Sequence, residues 1–308
     1  MSYVKHQFKA SDGAGIVYHK WSAETEDIRA VVVIAHGMAE HAFRYNHFAN
    51  VLNENYFTVY APDHRGHGCT AGDPENTGIF ARRQGWWKVV DDLHSLIGIV
   101  KNENPGKKVF LLGHSMGSFL VRTYICTYGN HVHGVILSGT GMNPRPILVA
   151  GSMIARLSSF FKGQNHRSKT LDMMSFGSFN KKYSTPFQWL SRDQEMVDKY
   201  IADPYCGQVF TSGFFQDLFC GLRFIGNINN LSEIPKSLPV FIVSGSDDPV
   251  GNYGKAVTKV YALYQKAGLR NVEMKLYPGA RHEILNETNR DEIMIDIINW
   301  LKHKNLYA

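Results

Sequence analysis

The sequence predicts an α/β chain with a mostly parallel central sheet flanked by helices. Apolar, β-branched runs such as Val31-Val32-Val33-Ile34 recur along the chain and are typical of strands buried on both faces. Between these runs lie amphipathic patterns of helical period, of which residues 86–101 form the longest. Strands that alternate with helices favour a parallel sheet covered on both faces.

The predicted elements follow one another in a regular order. Residues 4–21 alternate and break at Ser11-Asp12-Gly13, which predicts an N-terminal hairpin. Further strands are predicted at 30–35, 57–61, 108–112, 135–138, 240–244 and 272–277, and helices at 46–53, 86–101, 116–128, 255–267 and 287–302.

One long segment interrupts this alternation. Residues 142–238 contain no convincing strand but carry aromatic clusters such as Phe160-Phe161, which argue against a disordered linker. An insert of this kind is either a separate helical domain or a cap over an active site. We interpret it as a cap, so that residues 1–141 and 239–308 form the two parts of the core and 142–238 a helical cap inserted before the last strands.

Composition excludes several classes of protein. The chain has 308 residues, of which 44% are hydrophobic and 19% charged, the balance of a globular enzyme. It has no apolar run long enough to span a bilayer and no secretory signal pattern at its start, which predicts a cytoplasmic location. The four cysteines have no metal-like spacing and are expected to be reduced.

The net charge of +6 has two interpretations. It either serves solubility alone or gives weak attraction to anionic membrane surfaces. Because the basic residues are scattered and run no longer than pairs, nucleic-acid binding is not expected. The oligomeric state is left open.

The strongest chemical signal is Gly113-His114-Ser115-Met116-Gly117, which follows a predicted strand and precedes a predicted helix. This is the G-x-S-x-G pattern of a nucleophile on a tight strand-to-helix turn, where flanking glycines avoid clashes. We therefore predict Ser115 as the nucleophile of an α/β-hydrolase fold.

Such a turn requires an oxyanion hole. His36-Gly37-Met38 follows the strand 30–35 and offers a second backbone donor, so the N–H groups of Met38 and Met116 are the predicted pair. The alternative for His36-Gly37 is an ordinary turn at the end of a strand.

The fold also requires an acid and then a histidine after the serine. Ser246-Asp247-Asp248-Pro249 follows the strand 240–244 and supplies two candidate acids. Pro249 favours an extended Asp248, whereas Asp247 is suited to a turn in which its side chain hydrogen-bonds its own backbone. His282 lies after the last strand and before the last helix, which is the position of the general base.

A metal site is not expected. His282-Glu283 is followed by Asn286 where an H-E-x-x-H motif would need histidine. The segment His64-Arg65-Gly66-His67 is interpreted as a structural turn that holds the floor of the active site through hydrogen bonds. No cofactor is predicted.

The motifs together resemble those of the monoacylglycerol lipase and lysophospholipase group of α/β-hydrolases, and the similarity covers nearly the whole chain. The resemblance implies hydrolysis of a single acyl chain esterified to a small polar alcohol, without a cofactor, and makes Asp248 the acid. It also implies that Glu40 and Arg44 lie near the alcohol end of the substrate; an ordinary surface ion pair is the alternative. Animal monoacylglycerol lipases have a second histidine where this chain has Leu285, so a headgroup other than glycerol stays open.

The residues leave alternative functions as well. A serine peptidase or an acyltransferase would share the same covalent intermediate. A non-catalytic binding protein could keep the fold, although it would have no need of all the catalytic positions together.

Overall fold

The computed structural model describes residues 2–25 and 27–307. Its centre is a sheet with the strand order β1-β2-β4-β3-β5-β6-β7-β8. The strands are β1 (Ser2–Lys9), β2 (Gly15–Ser22), β3 (Ala30–Ala35), β4 (Phe57–Pro62), β5 (Val109–His114), β6 (Gly134–Ser138), β7 (Val240–Gly245) and β8 (Val272–Tyr277).

Strand direction fixes where a site can form. β1 pairs with β2, and β2 with β4, in antiparallel register, whereas every pairing from β4 through β3 to β8 is parallel. The carboxyl ends of β3, β5, β6, β7 and β8 therefore lie along one edge of the sheet, which is where α/β sheets bind ligands.

Helices cover both faces of the sheet. One hydrophobic cluster joins Val31 and Leu111 of the sheet to the long helix residue Val89, and a second joins Val32 to Phe48 and Ile293 on the opposite face. The helices are α1 (Asn46–Glu54), α2 (Gly68–Ala71), α3 (Gly85–Glu103), α4 (Met116–Tyr128), α5 (Arg145–Lys162), α6 (Lys169–Phe176), α7 (Gln194–Ala202), α8 (Ser212–Ile225), α9 (Ile228–Leu231), α10 (Lys255–Lys266) and α11 (Arg290–Tyr307).

The predicted fold class is confirmed, and the predicted strands and helices are found with shifts at their ends. The largest shifts are at the last helix, which begins at Arg290 rather than at residue 287 and ends at Tyr307 rather than at residue 302. Glu287 is fully buried, and its carboxylate accepts the N–H groups of Arg192 and Arg281 at 3.1 and 2.8 Å. A side chain used in this way stabilises a loop, and the helix starts only after it.

The segment between β6 and β7 contains α5 to α9 and contributes no strand to the sheet. Helix α5 packs so closely on α8 at Gly151 that a Cβ added there would lie 2.8 Å from the ring of Phe219. The outer sides of α5 and α6 expose large apolar side chains: Ile147, Met153, Leu157, Phe160, Phe161, Met173 and Met174. None of the helices within residues 2–25 and 27–307 is both long and apolar enough to pass through a membrane.

Candidate active site

Ser115 occupies a strained turn between β5 and α4. Its φ of 52° and ψ of −120° lie outside the regions that a serine ordinarily adopts. The flanking glycines are required here: a Cβ at Gly113 would lie 2.4 Å from the Gly117 carbonyl oxygen, and one at Gly117 would lie 2.0 Å from that of Ala35. The chain thus has the geometry of a nucleophile elbow, with the serine at the carboxyl edge of the sheet.

The loops after β7 and β8 bring Asp248 and His282 together. The Nδ1 atom of His282 lies 3.0 Å from Oδ2 of Asp248, and both side chains are buried. The Asp248 carboxylate also accepts the Val250 N–H at 2.8 Å and the Ser244 hydroxyl at 3.2 Å. These bonds hold the carboxylate in one orientation toward the imidazole.

Asp247 lies elsewhere. Its side chain is exposed and accepts the Ser246 hydroxyl at 3.0 Å, a bond between side chains and not the hydrogen bond to its own backbone that a turn role predicts. Of the two aspartates, only Asp248 contacts the imidazole of His282.

The position of His282 relative to the elbow follows from its neighbours. The ring of His114, the residue before Ser115, lies 4.7 Å from the ring of His282. A Cβ added at Gly139 would approach both rings to 3.0 Å, so the loop after β6 packs against them without a side chain. The histidine, the aspartate and the elbow therefore share one small region at the sheet edge.

The electrostatic environment suits a general base. Burial alone would lower the pKa of His282, but the charge and hydrogen bond of Asp248 outweigh it and raise the pKa above its ordinary value. With Nδ1–H donated to the carboxylate, Nε2 is the nitrogen left to accept a proton. This tautomer is the one that a serine–histidine–aspartate system uses.

The loop after β3 lies against the serine. A Cβ added at Gly37 would lie 2.7 Å from Oε1 of Glu40 and 3.2 Å from the Ser115 Cβ, so a glycine fits this close approach best. No hydrogen bond within the described ranges uses the backbone N–H of Met38 or of Met116. Met116 is buried and Met38 is partly buried, and two backbone donors without a protein partner beside a nucleophile are what an oxyanion hole needs.

Glu40 and Arg44 take part in a buried ionic cluster. Arg44 donates to Glu40 at 2.8 Å and to both carboxylate oxygens of Glu283 at 2.6 and 2.7 Å. Glu40 in turn accepts the Gly37 N–H at 2.5 Å and the Tyr45 hydroxyl at 2.9 Å. The pair is therefore not on the surface, and it does not span helical turns, because Glu40 precedes the short 3₁₀ turn Ala42–Tyr45.

The two carboxylates of this cluster titrate differently. Burial raises the pKa of Glu40, and the neighbouring charge of Glu283 adds to that rise. Burial would raise the pKa of Glu283 too, but the charge and hydrogen bonds of Arg44 lower it below its usual range. One guanidinium thus holds Glu283 ionised beside the catalytic region.

Sequence reasoning missed the part played by Glu283. In the sequence, Glu283 stands out only as the second residue of an incomplete H-E-x-x-H pattern. The structure joins it to Arg44 across 239 positions of sequence. The sequence signal for this role was the position of Glu283 directly after His282, which keeps it close to the proposed general base.

The turn after β4 supports the loop of Gly37. Nε2 of His36 accepts the His64 N–H at 3.0 Å, and its Nδ1 donates to the Gly37 carbonyl at 2.8 Å. Arg65 is fixed by bidentate hydrogen bonds to Asp92 at 2.6 and 2.9 Å. The structural role predicted for this segment agrees with these contacts.

An open groove of about 980 Å³ lies elsewhere, between α5 and α8. Met142 and Leu148 are among its lining residues, but Ser115, Asp248 and His282 are not. We therefore assign the candidate site to the sheet edge, because the residues with catalytic chemistry lie there and not in this groove.

Fold and site together define an α/β-hydrolase. The chain belongs to the family described as serine aminopeptidase S33, whose model matches residues 26–289. A monoacylglycerol lipase of Mycolicibacterium smegmatis is 30% identical over 302 residues, which cover 96% of each chain.

Solved structures give the same classification. A thermostable carboxyl esterase from Bacillus coagulans, in complex with glycerol, superposes with a TM-score of 0.91 at 28% identity and covers 99% of both chains. A lipase in an open form has a TM-score of 0.87 at 25% identity and the same coverage. The chain is an enzyme of the carboxylic ester hydrolase class, as the resemblance implied.

Proposed function

We propose that Ser115, His282 and Asp248 form the catalytic triad of an esterase that works through an acyl-enzyme. The observation that carries this proposal is the 3.0 Å contact between His282 Nδ1 and Asp248 Oδ2, beside a serine held in an elbow.

The proposed reaction has two halves. In the first, Ser115 Oγ attacks the ester carbonyl while His282 Nε2 takes its proton, and the N–H groups of Met38 and Met116 bind the oxyanion. The carbon–oxygen bond to the alcohol then breaks, and the alcohol leaves with the proton from His282. In the second half, His282 removes a proton from water, which attacks the acyl-enzyme and releases the carboxylic acid and Ser115.

The proposed substrates are esters of a single acyl chain, such as monoacylglycerols or lysophospholipids. The similarity to a monoacylglycerol lipase over nearly the whole chain supports this class. The alcohol is less defined, because Leu285 is buried in a hydrophobic cluster where the animal lipases place histidine. A small polar alcohol other than glycerol is therefore within the proposal.

The family description gives a reason to test a second activity. It names an aminopeptidase, whose amide substrate would pass through the same acyl-enzyme. A fluorophosphonate probe tests the nucleophile first: we expect labelling of the wild type and none of Ser115→Ala. The exposed serine variant Ser95→Ala is the control, and we expect the probe to label it like the wild type. Labelling of Ser115→Ala would overturn the assignment.

Turnover then separates the substrates. p-Nitrophenyl esters of increasing chain length, a monoacylglycerol, lysophosphatidylcholine and an aminoacyl-p-nitroanilide should be compared on one preparation. We expect kcat/KM to rise with acyl length and the anilide to be the poorest substrate. Preferred turnover of the anilide would establish the peptidase instead.

We further propose that residues 142–238 act as a cap that meets lipid surfaces. The exposed apolar side chains of α5 and α6 are accompanied by Arg145, Arg156, Lys162 and Lys169 on the same two helices, a combination suited to anionic interfaces.

We also propose a cytoplasmic location. It is supported by the four cysteines, which are all free thiols: Cys69, Cys126, Cys206 and Cys220.

A further inference from the structure

Three side chains from two distant parts of the sequence lie close together next to the loop of Gly37. His41 follows that loop, whereas Asp203 and Cys206 belong to the segment after α7. Nε2 of His41 lies 2.9 Å from Oδ2 of Asp203, and the Cys206 Sγ lies within 4.8 Å of both ligand atoms.

We propose that His41, Asp203 and Cys206 bind one divalent transition-metal ion such as Zn²⁺. Imidazole nitrogen, carboxylate oxygen and thiolate sulfur are the three donor types that zinc takes in proteins. In a tetrahedral site with bonds of about 2.0 to 2.3 Å, ligand atoms stand roughly 3.4 to 3.7 Å apart. Shifts of about an ångström would convert the present cluster into such a site.

Binding involves a defined exchange. Cys206 gives up its thiol proton when the ion enters. The ion replaces that proton, which passes to solvent, and forms one bond to each of the three ligands. Water completes the coordination.

The surrounding charge favours a cation. Asp203, Glu40 and Glu283 each carry a carboxylate, and the charges of all three reach Cys206, as does that of Arg44. With every carboxylate ionised, three negative charges and one positive charge leave a net of −2, which suits a divalent ion. His41 and Asp203 keep 14% and 28% of their side chains exposed, which gives the ion a path to the buried thiol.

A second group of the same residue types is less suited to binding a metal ion. In the group His19, Asp63 and Cys69, the imidazole already contacts the Tyr3 hydroxyl at 2.8 Å and Asp63 at 3.1 Å. Asp63 also accepts two backbone N–H groups at 2.8 and 2.7 Å. A metal there would break bonds that already satisfy the ligands, whereas the ring of His41 makes one hydrogen bond within the described ranges.

The proposed ion would join the cap to the core. The Ala39 carbonyl accepts the Gly207 N–H at 3.1 Å and the Tyr200 hydroxyl at 2.9 Å, so the two segments already touch beside the site. Because a ligand that binds only the folded state stabilises it by mass action, saturating Zn²⁺ should raise Tm.

The test titrates the full, chelator-treated protein with Co²⁺ and with Zn²⁺ under reducing conditions. We expect one ion per chain, a thiolate-to-cobalt charge-transfer band, and a higher Tm with Zn²⁺. In Cys206→Ser the band should be absent and the affinity at least about tenfold lower, whereas Cys69→Ser should behave as the wild type. The band reports the sulfur ligand directly, and the Tm of the metal-free variants shows that each is folded.

A second variant, His41→Gln, keeps the thiol and should also bind at least about tenfold more weakly. Loss of the band in Cys69→Ser would mean that the metal binds at His19, Asp63 and Cys69, which would contradict the proposal. A band kept in Cys206→Ser, or no band in the wild type, would overturn the proposal. None of these readouts depends on ester hydrolysis.

Discussion

Trp189 of the segment between β6 and β7 packs its ring 5.1 Å from the imidazole of His282, and its carbonyl accepts the His282 N–H at 3.4 Å. The next residue repeats the contact, since the Leu190 carbonyl accepts the Glu283 N–H at 2.7 Å. The proposed base is therefore held from two sides: by Asp248 of the loop after β7 and by the backbone of the segment between β6 and β7. Changes at either side should be measurable in catalysis.

The first prediction separates the two aspartates. Asp248→Asn should lower kcat by about 10³- to 10⁴-fold, because the amide cannot hold the imidazole in the productive tautomer. Asp247→Asn should stay within a few-fold of the wild type, since its side chain is exposed. Steady-state hydrolysis of one p-nitrophenyl ester measures both. A severe Asp247→Asn with a mild Asp248→Asn would refute the assignment of the acid.

The second prediction concerns pH. Only neutral His282 accepts the serine proton, so kcat/KM should rise with pH through the pKa of this histidine, which Asp248 raises above 6.5. In Asp248→Asn the raising charge is lost while burial remains, so the acidic limb of the profile should move to lower pH. A profile that does not move, measured between pH 5 and 9 on the residual activity, would mean that another group controls the limb.

The third prediction decides the role of Arg44. Arg44→Met leaves two buried carboxylates without their cation, which typically costs about 3 to 5 kcal/mol of unfolding free energy. A purely positioning role predicts a lower Tm and equal losses on all substrates.

Recognition of the alcohol predicts an additional, selective loss on substrates with polar headgroups relative to p-nitrophenyl esters of the same acyl chain. Measuring Tm and both kcat/KM values on one preparation distinguishes the two roles. Lys20→Met is a control, since that lysine pairs with Glu103 at the end of α3.

The fourth prediction tests the exposed face of α5. Replacing Phe160 and Phe161, which are 81% and 75% exposed, with serine should leave hydrolysis of a short soluble ester unchanged. Binding to anionic vesicles and turnover of vesicle-borne monoacylglycerol should fall, by about tenfold for the pair, because each phenyl ring buries apolar area in the interface. Ile295→Ser on α11, another exposed apolar residue, is the control. Equal vesicle binding by the Phe160/Phe161 variant and the wild type would exclude this face as the contact.

The sequence by itself determined the strands, the helices and the chain order of Ser115, Asp248 and His282. These features depend on local causes: the period of the apolar residues, the glycines that a tight turn needs, and the rule that loops after parallel strands meet at one edge. The four-residue spacing of Glu40 and Arg44 allowed a pair along a helix. The two residues do pair, but Glu40 lies before the 3₁₀ turn that holds Arg44.

Only the tertiary structure decided what surrounds these residues. Arg44 is buried and pairs with Glu283, Trp189 approaches His282, and His41 meets Cys206. Each of these contacts joins positions more than ninety residues apart. No local pattern encodes such contacts, because they depend on how the segment between β6 and β7 packs on the sheet edge. That packing is set by side-chain shape and volume in the assembled fold.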